Sequence, residues 1–160
     1  MNDDHVSGVT RRGFMATGAA GAALAALGAG STPQVMADTT SIEQANLKLV
    51  MDACESISSV NPDDFEPYLA DDFVFQLIDN QPLVKGKDAF IGFMKQFFAP
   101  FERAEFIVHR THVLGNLVIN ERTDNFFAKE GGQDQSFHVT GFCLVKKGKI
   151  VEWKDYSVPK

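Results

Sequence analysis

The chain has 160 residues, 44% hydrophobic and 22% charged, with a formal net charge of −6. That mild acidity argues against nucleic acid or an anionic membrane as a partner. The length suits one domain with a single sizeable core, and the 14 Phe favour an aromatic-lined interior over an extended binding surface.

Thr10-Arg11-Arg12-Gly13-Phe14-Met15 is a twin-arginine motif. An uncharged Ala/Gly-rich stretch follows over 13–30, and then Val35-Met36-Ala37, a small-x-small cleavage pattern. Residues 1–37 are therefore expected to be a cleaved export signal and 38–160 the domain. A periplasmic or secreted location follows, with the twin-arginine export machinery as a partner. An uncleaved membrane anchor is the alternative, but Gly and Ala partition weakly compared with Leu or Ile. Losing the leader leaves the net charge unchanged, because Asp3 and Asp4 go with Arg11 and Arg12.

Thr40-Ser41-Ile42-Glu43 reads as a capping box. It opens a helix whose apolar residues Leu47, Val50, Met51, Cys54 and Ile57 recur at helical spacing to about Ser58. Asn61-Pro62 starts a short second helix through Tyr68 and Leu69, limited by Pro67. Phe73 to Leu77 is a short aromatic strand, followed by a polar turn at Asp79-Asn80-Gln81-Pro82. A third helix runs from about Lys87 to Phe98, and Pro100 stops it. Four strand-like runs complete the chain: Ala104 to Leu114, Leu117 to Ala128, Ser136 to Lys146 and Ile150 to Tyr156. Gly-containing turns separate them, which predicts an antiparallel meander. The fold class is α+β, with N-terminal helices packed in a curved, mostly antiparallel sheet that can wrap a pocket.

Residues two apart on a strand share a face, so Asn120, Arg122, Asp124 and Phe126 point one way. Glu121, Thr123, Asn125 and Phe127 point the other way, and hydrophobicity alone does not choose which face lines a pocket. On the last strand Val151, Trp153 and Asp155 share a bulky apolar face that ends in one carboxylate, which favours burial of Asp155. If that strand lies beside the second, Asp155, Arg122 and Asp124 form one cluster. Two carboxylates on one guanidinium can divide acid and base roles, because burial, repulsion and the cation separate their proton affinities. The alternative is an ion network on a sheet surface or at a dimer contact.

Other chemistries have weaker support. His109 and His112 are three apart and are expected on opposite faces, and His138 is alone in its strand, so no metal site is expected. A single histidine as a catalytic base stays open. There is no G-x-S-x-G run and no phosphate-cradling loop. Cys54 and Cys143 are expected as small buried hydrophobes, a single disulfide between them being the alternative.

Four stretches together resemble the limonene epoxide hydrolase family, within the broad nuclear transport factor 2-like group that includes SnoaL-type cyclases and ketosteroid isomerases. They are Gly86-Lys87-Asp88-Ala89, Glu121-Arg122-Thr123-Asp124, the Gly141 strand into Lys147-Gly148-Lys149-Ile150, and Trp153-Lys154-Asp155-Tyr156. The resemblance implies a cone-shaped α+β fold, a homodimer, a deep apolar pocket for a small apolar substrate, and no cofactor. Carried onto matching positions, Asp155 is the base that activates water, Asp124 the acid that protonates an epoxide oxygen, and Arg122 the bridge. The product is a vicinal diol. Phe75, Leu77, Asn120, Phe126, Phe137, Val139 and Trp153 are expected along the substrate pocket, with Phe73, Phe90, Phe93 and Phe142 as further interior aromatics. The family's Tyr and Asn that grip the water are replaced here by Phe75 and Leu77, which leaves Asn120, Asn80 or Gln76 to supply an amide. The same residues leave open an isomerase or cyclase, or a non-catalytic exported protein that binds an apolar ligand.

Overall fold

The computed structural model describes residues 40–158; the expected leader and its cleavage point lie outside the described residues. Helix α1 (Ser41–Ser56) begins at the capping box read from the sequence. Thr40 Oγ1 accepts from the Glu43 N–H at 3.2 Å, and a Glu43 carboxylate oxygen accepts from the Thr40 N–H at 2.8 Å. The other Glu43 oxygen accepts from Gly115 N–H at 2.8 Å, and Asn46 Nδ2 donates to the Gly115 carbonyl at 2.9 Å. The start of α1 is thereby tied to the turn of a distant hairpin. Val50, Ala53 and Cys54 form its buried stripe.

The second helix is a 3₁₀ segment (Pro62–Tyr68) rather than an α-helix. Pro67 has no N–H and its ring would crowd the carbonyl four residues back, so the tighter hydrogen-bonding pattern prevails. Strand β1 (Leu69–Gln76) starts earlier than the expected Phe73. Its first residue pairs with Ile150, and an irregularity between Leu69 and Val74 leaves the polar Asp71-Asp72 step unpaired on that side, which hid the strand's alternation. The two-residue edge strand β2 (Val84–Lys85) was not expected. Helix α2 (Lys87–Phe98) follows, burying Phe90, Met94 and Phe98.

Strands β3 (Phe101–Leu114), β4 (Leu117–Ala128), β5 (Gln135–Lys146) and β6 (Lys149–Ser157) form the expected meander. β3 begins directly after Pro100, three residues before the expected Ala104. The sheet order is β2-β1-β6-β5-β4-β3. All neighbours are antiparallel except β1 and β6, which run parallel. Irregularities in β3 and between Leu144 and Val145 add local twist and bend the sheet, which stays unclosed. α1 packs on β3 and β4, and α2 packs on β1, both on the concave side.

These bends alter two expectations. On β6 the bulge sets Ile150 opposite Val145, so Ile150 rather than Val151 is buried beside Trp153 and Asp155. The irregularity between Val108 and Arg110 flips the alternation of β3, so His109 and His112 are both exposed on the outer face instead of opposing each other. Phe142 also lies on that outer face, half-buried, its ring 5.3 Å from Tyr156. Among the described residues no helix is long and apolar enough to cross a membrane.

Removing the cap tests the local reading of α1. Thr40→Ala is expected to lower stability by about 1 kcal/mol in urea unfolding.

Candidate active site

The face that hydrophobicity could not choose is settled by packing. Along β4, Val118, Asn120, Arg122, Asp124 and Phe126 are all buried, while their odd-numbered neighbours are half-buried on the outer side. Arg122 is 1% exposed, Asp124 5% and Asp155 4%, so the ion network is interior. Arg122 Nε donates to Asp124 Oδ1 at 2.8 Å and Nη2 to Asp124 Oδ2 at 3.0 Å, a bidentate pair. Nη2 also donates to Asp155 Oδ2 at 2.7 Å, and Nη1 donates to Asn120 Oδ1 at 2.7 Å. Trp153 Nε1 donates to Asp155 Oδ1 at 2.9 Å. The guanidinium carbon lies 4.9 Å from the Phe106 ring centre and 5.2 Å from that of Trp153.

Strand register explains how side chains from β4 and β6 meet across β5. Asn120 and Asp155 are both cross-strand partners of Gly141. With no side chain there, the guanidinium lies over the β5 backbone. A Cβ on Gly141 would sit 2.8 Å from Asn120 Oδ1 and 2.9 Å from Asp155 Oδ1, and closer still to Arg122 Nη1. Its role is close approach, at an ordinary backbone conformation.

The cluster forms the polar end of a cavity whose other lining is apolar. Phe75, Leu77, Phe126, Phe137, Val139 and Trp153 line it, as the sequence suggested. Asn120 does not. It is wholly buried, with its oxygen committed to Arg122 and its Nδ2 directed at Cys54 Sγ 4.0 Å away on α1. Gln76 Nε2 donates to the Gln81 carbonyl and Asn80 is exposed, so neither offers the cavity an amide. Sequence reasoning missed Phe106 over the guanidinium and Phe97 and Met94 of α2 in the lining. The spacing of Phe90, Met94 and Phe97 was a visible signal, but it reads equally well as ordinary core.

Electrostatics separates the three charged groups. Burial opposes the charge on Arg122, but Asp155 and Asp124 outweigh it, and the guanidinium stays protonated. Burial, reinforced by repulsion from Asp155, pushes Asp124 up to about 7 despite the attraction of Arg122. Burial also raises Asp155, against the pull of Arg122 and the Trp153 donor. Two acids this close titrate as one unit.

The remaining candidates fall elsewhere. His109 bonds Thr123 Oγ1 at 2.9 Å and His138 bonds Glu121 at 3.2 Å, both on the outer sheet face; neither lines the cavity. Cys54 and Cys143 are free and buried, and burial pushes the Cys54 thiol up to about 12. Among the described residues no group of His, Cys, Asp or Glu is arranged to hold a metal ion.

Two measurements test this geometry. Gly141→Ala is expected to force Arg122 out of its paired position, at a cost of several kcal/mol for an uncompensated buried charge, seen as a lowered unfolding midpoint. The second concerns pH. Asp124 has a folded pKa above its unfolded value, so its contribution to stability is present below about pH 4 and lost as pH rises through about 7. Asp124→Asn is expected to flatten that decline in urea unfolding measured across the same window.

Comparison with solved structures places the fold. An LEH-like epoxide hydrolase from M. tuberculosis aligns with TM-score 0.64 and 22% identity over 72% of this chain and 84% of that one. A putative SnoaL-like polyketide cyclase from Jannaschia sp. CCS1 aligns with TM-score 0.64 and 18% identity over 75% and 90%. A putative polyketide cyclase from Xanthomonas campestris pv. campestris gives TM-score 0.62 and 22% identity over 74% and 93%. All share the arrangement of helices against a curved, unclosed sheet. No curated protein sequence matches. The SnoaL-like domain profile matches residues 50–153, and the chain belongs to that family.

Proposed function

We propose that the protein is a cofactor-independent epoxide hydrolase that opens a small apolar epoxide to a vicinal diol. The observation that carries this reading is the Asp124–Arg122–Asp155 cluster, buried at the polar end of an apolar cavity, with Asp124 keeping its proton to about pH 7. Asp155 takes a proton from water as the water oxygen bonds to one epoxide carbon. The carbon–oxygen bond on that carbon breaks, and Asp124 delivers its proton to the departing oxygen. Push and pull together avoid a free alkoxide or a free cation. Arg122 holds both carboxyl groups in place, and proton exchange with solvent returns the pair to its starting state. The LEH-like neighbour supports this reading, and the SnoaL-like family includes the fold on which it rests.

Asp155→Asn and Asp124→Asn are each expected to remove diol formation while the circular dichroism spectrum is retained. Parental turnover by either variant would refute the assigned roles. Because the acid must carry its proton, kcat/KM of the parent is expected to fall as pH rises through about 7.

One observation favours a second reading, a proton-transferring isomerase or cyclase. Phe75 and Leu77 occupy the lining, and Asn120 and Gln76 spend their amides elsewhere, so water has only the carboxyl groups to hold it. Proton transfer between substrate atoms needs no such grip. Turnover in oxygen-18 water separates the two: a hydrolase places the label in product, and an isomerase does not.

A further inference from the structure

The same cavity has a charge that its proposed substrate lacks. Among the described residues Asp124, Arg122 and Asp155 are the charged side chains in its lining, one cation against two acids. The guanidinium spends its N–H groups on Asp124, Asp155 and Asn120, which leaves little to attract an anion. Each carboxylate oxygen accepts one N–H in the cluster and has further lone-pair capacity, and both residues line the cavity. The walls present aromatic rings, among them Phe65, Phe75, Phe97 and Phe126. Ring faces attract cations, as the placement of Arg122 beside Phe106 and Trp153 already illustrates.

We infer that the cavity binds apolar ammonium ions, the charged nitrogen at the Asp124–Asp155 end and the hydrocarbon against the rings. The inference rests on the acid–base reading of the site and names a ligand class for it. Acid-assisted opening of an epoxide leaves partial positive charge on the attacked carbon, and an ammonium nitrogen supplies that charge in a stable molecule. The ligand also does what the proton held by the acid pair does, which is to neutralise the second carboxylate. Ammonium and proton therefore compete.

Among the described residues no other ionisable group in the lining complicates that competition. β4 contributes Arg122 and Asp124, and β6 contributes Asp155. The 3₁₀ segment, β1, α2 and β3 contribute only apolar side chains, such as Phe65, Phe75, Met94 and Phe106. The nearby thiols, Cys54 on α1 and Cys143 on β5, are held protonated by burial.

Calorimetric titration with cyclohexylamine, cyclohexanol and cyclohexanecarboxylate tests this, at about pH 6 and about pH 8 and in two buffers of different ionisation enthalpy. At the higher pH the amine is expected to bind about tenfold tighter than the alcohol, with the carboxylate not binding. At the lower pH amine binding is expected to weaken and to release up to one proton per site. Asp124→Asn, checked for folding by circular dichroism, is expected to lose both the preference and the proton release. Equal affinity for amine and alcohol at the higher pH, no detectable amine binding, or an amine preference that survives in Asp124→Asn would each overturn the inference. Binding is read without turnover, so an amine preference in a protein inactive on epoxides would sink the hydrolase reading and support this one.

Discussion

A guanidinium shared by two carboxylates inside an apolar cavity is the constraint around which this molecule is arranged. Moving three charges out of water costs more than their mutual attraction returns unless the geometry satisfies nearly every donor and acceptor. Here it does: Asp124 binds Arg122 in a bidentate pair, Asp155 takes donors from Arg122 and Trp153, and Asn120 takes the remaining nitrogen. Packed apolar residues of similar volume would serve stability at least as well. The cluster is better understood through its chemistry. One excess negative charge in a buried, apolar-walled site holds a proton near neutrality.

The fold is built to make that cluster possible. Three strands must bring β4 and β6 within reach of each other across β5, and Gly141 is what allows the guanidinium to lie over the intervening backbone. Asn120 supports the bridge from between the cluster and α1 instead of lining the cavity. The helices supply rings that close the concave face, and Phe106 and Trp153 shield the cation. The cavity consequently has strong acid–base capacity and few neutral hydrogen-bonding groups. That imbalance is why hydrolysis and proton transfer compete as readings, and why a cationic ligand suits the site.

Much of this was legible from the amino-acid sequence. The capping box, the period of α2, the Gly-containing turns and the alternation of β4 are local properties, set by interactions over a few residues. They gave the α+β class and put Arg122 and Asp124 on one face. The Trp-x-Asp spacing placed Asp155 on an apolar face for the same reason. The resemblance carried by the Glu-Arg-x-Asp and Trp-Lys-Asp-Tyr runs matches the family that the chain proves to belong to, at the level of the SnoaL-like domain.

What only the tertiary structure decided depends on pairing between distant strands. The parallel β1–β6 pair set the true start of β1, and the bulges exchanged Val151 for Ile150 and brought His109 and His112 to one side. A one-residue shift reverses every side chain beyond it, and no local pattern announces where such a shift falls. The buried face of β4, the position of Asn120 outside the cavity and the need for Gly141 follow from which strands become neighbours. Local sequence fixes which side chains travel together, but burial is a property of the assembled sheet, and the shifted acid appears only once water has been excluded.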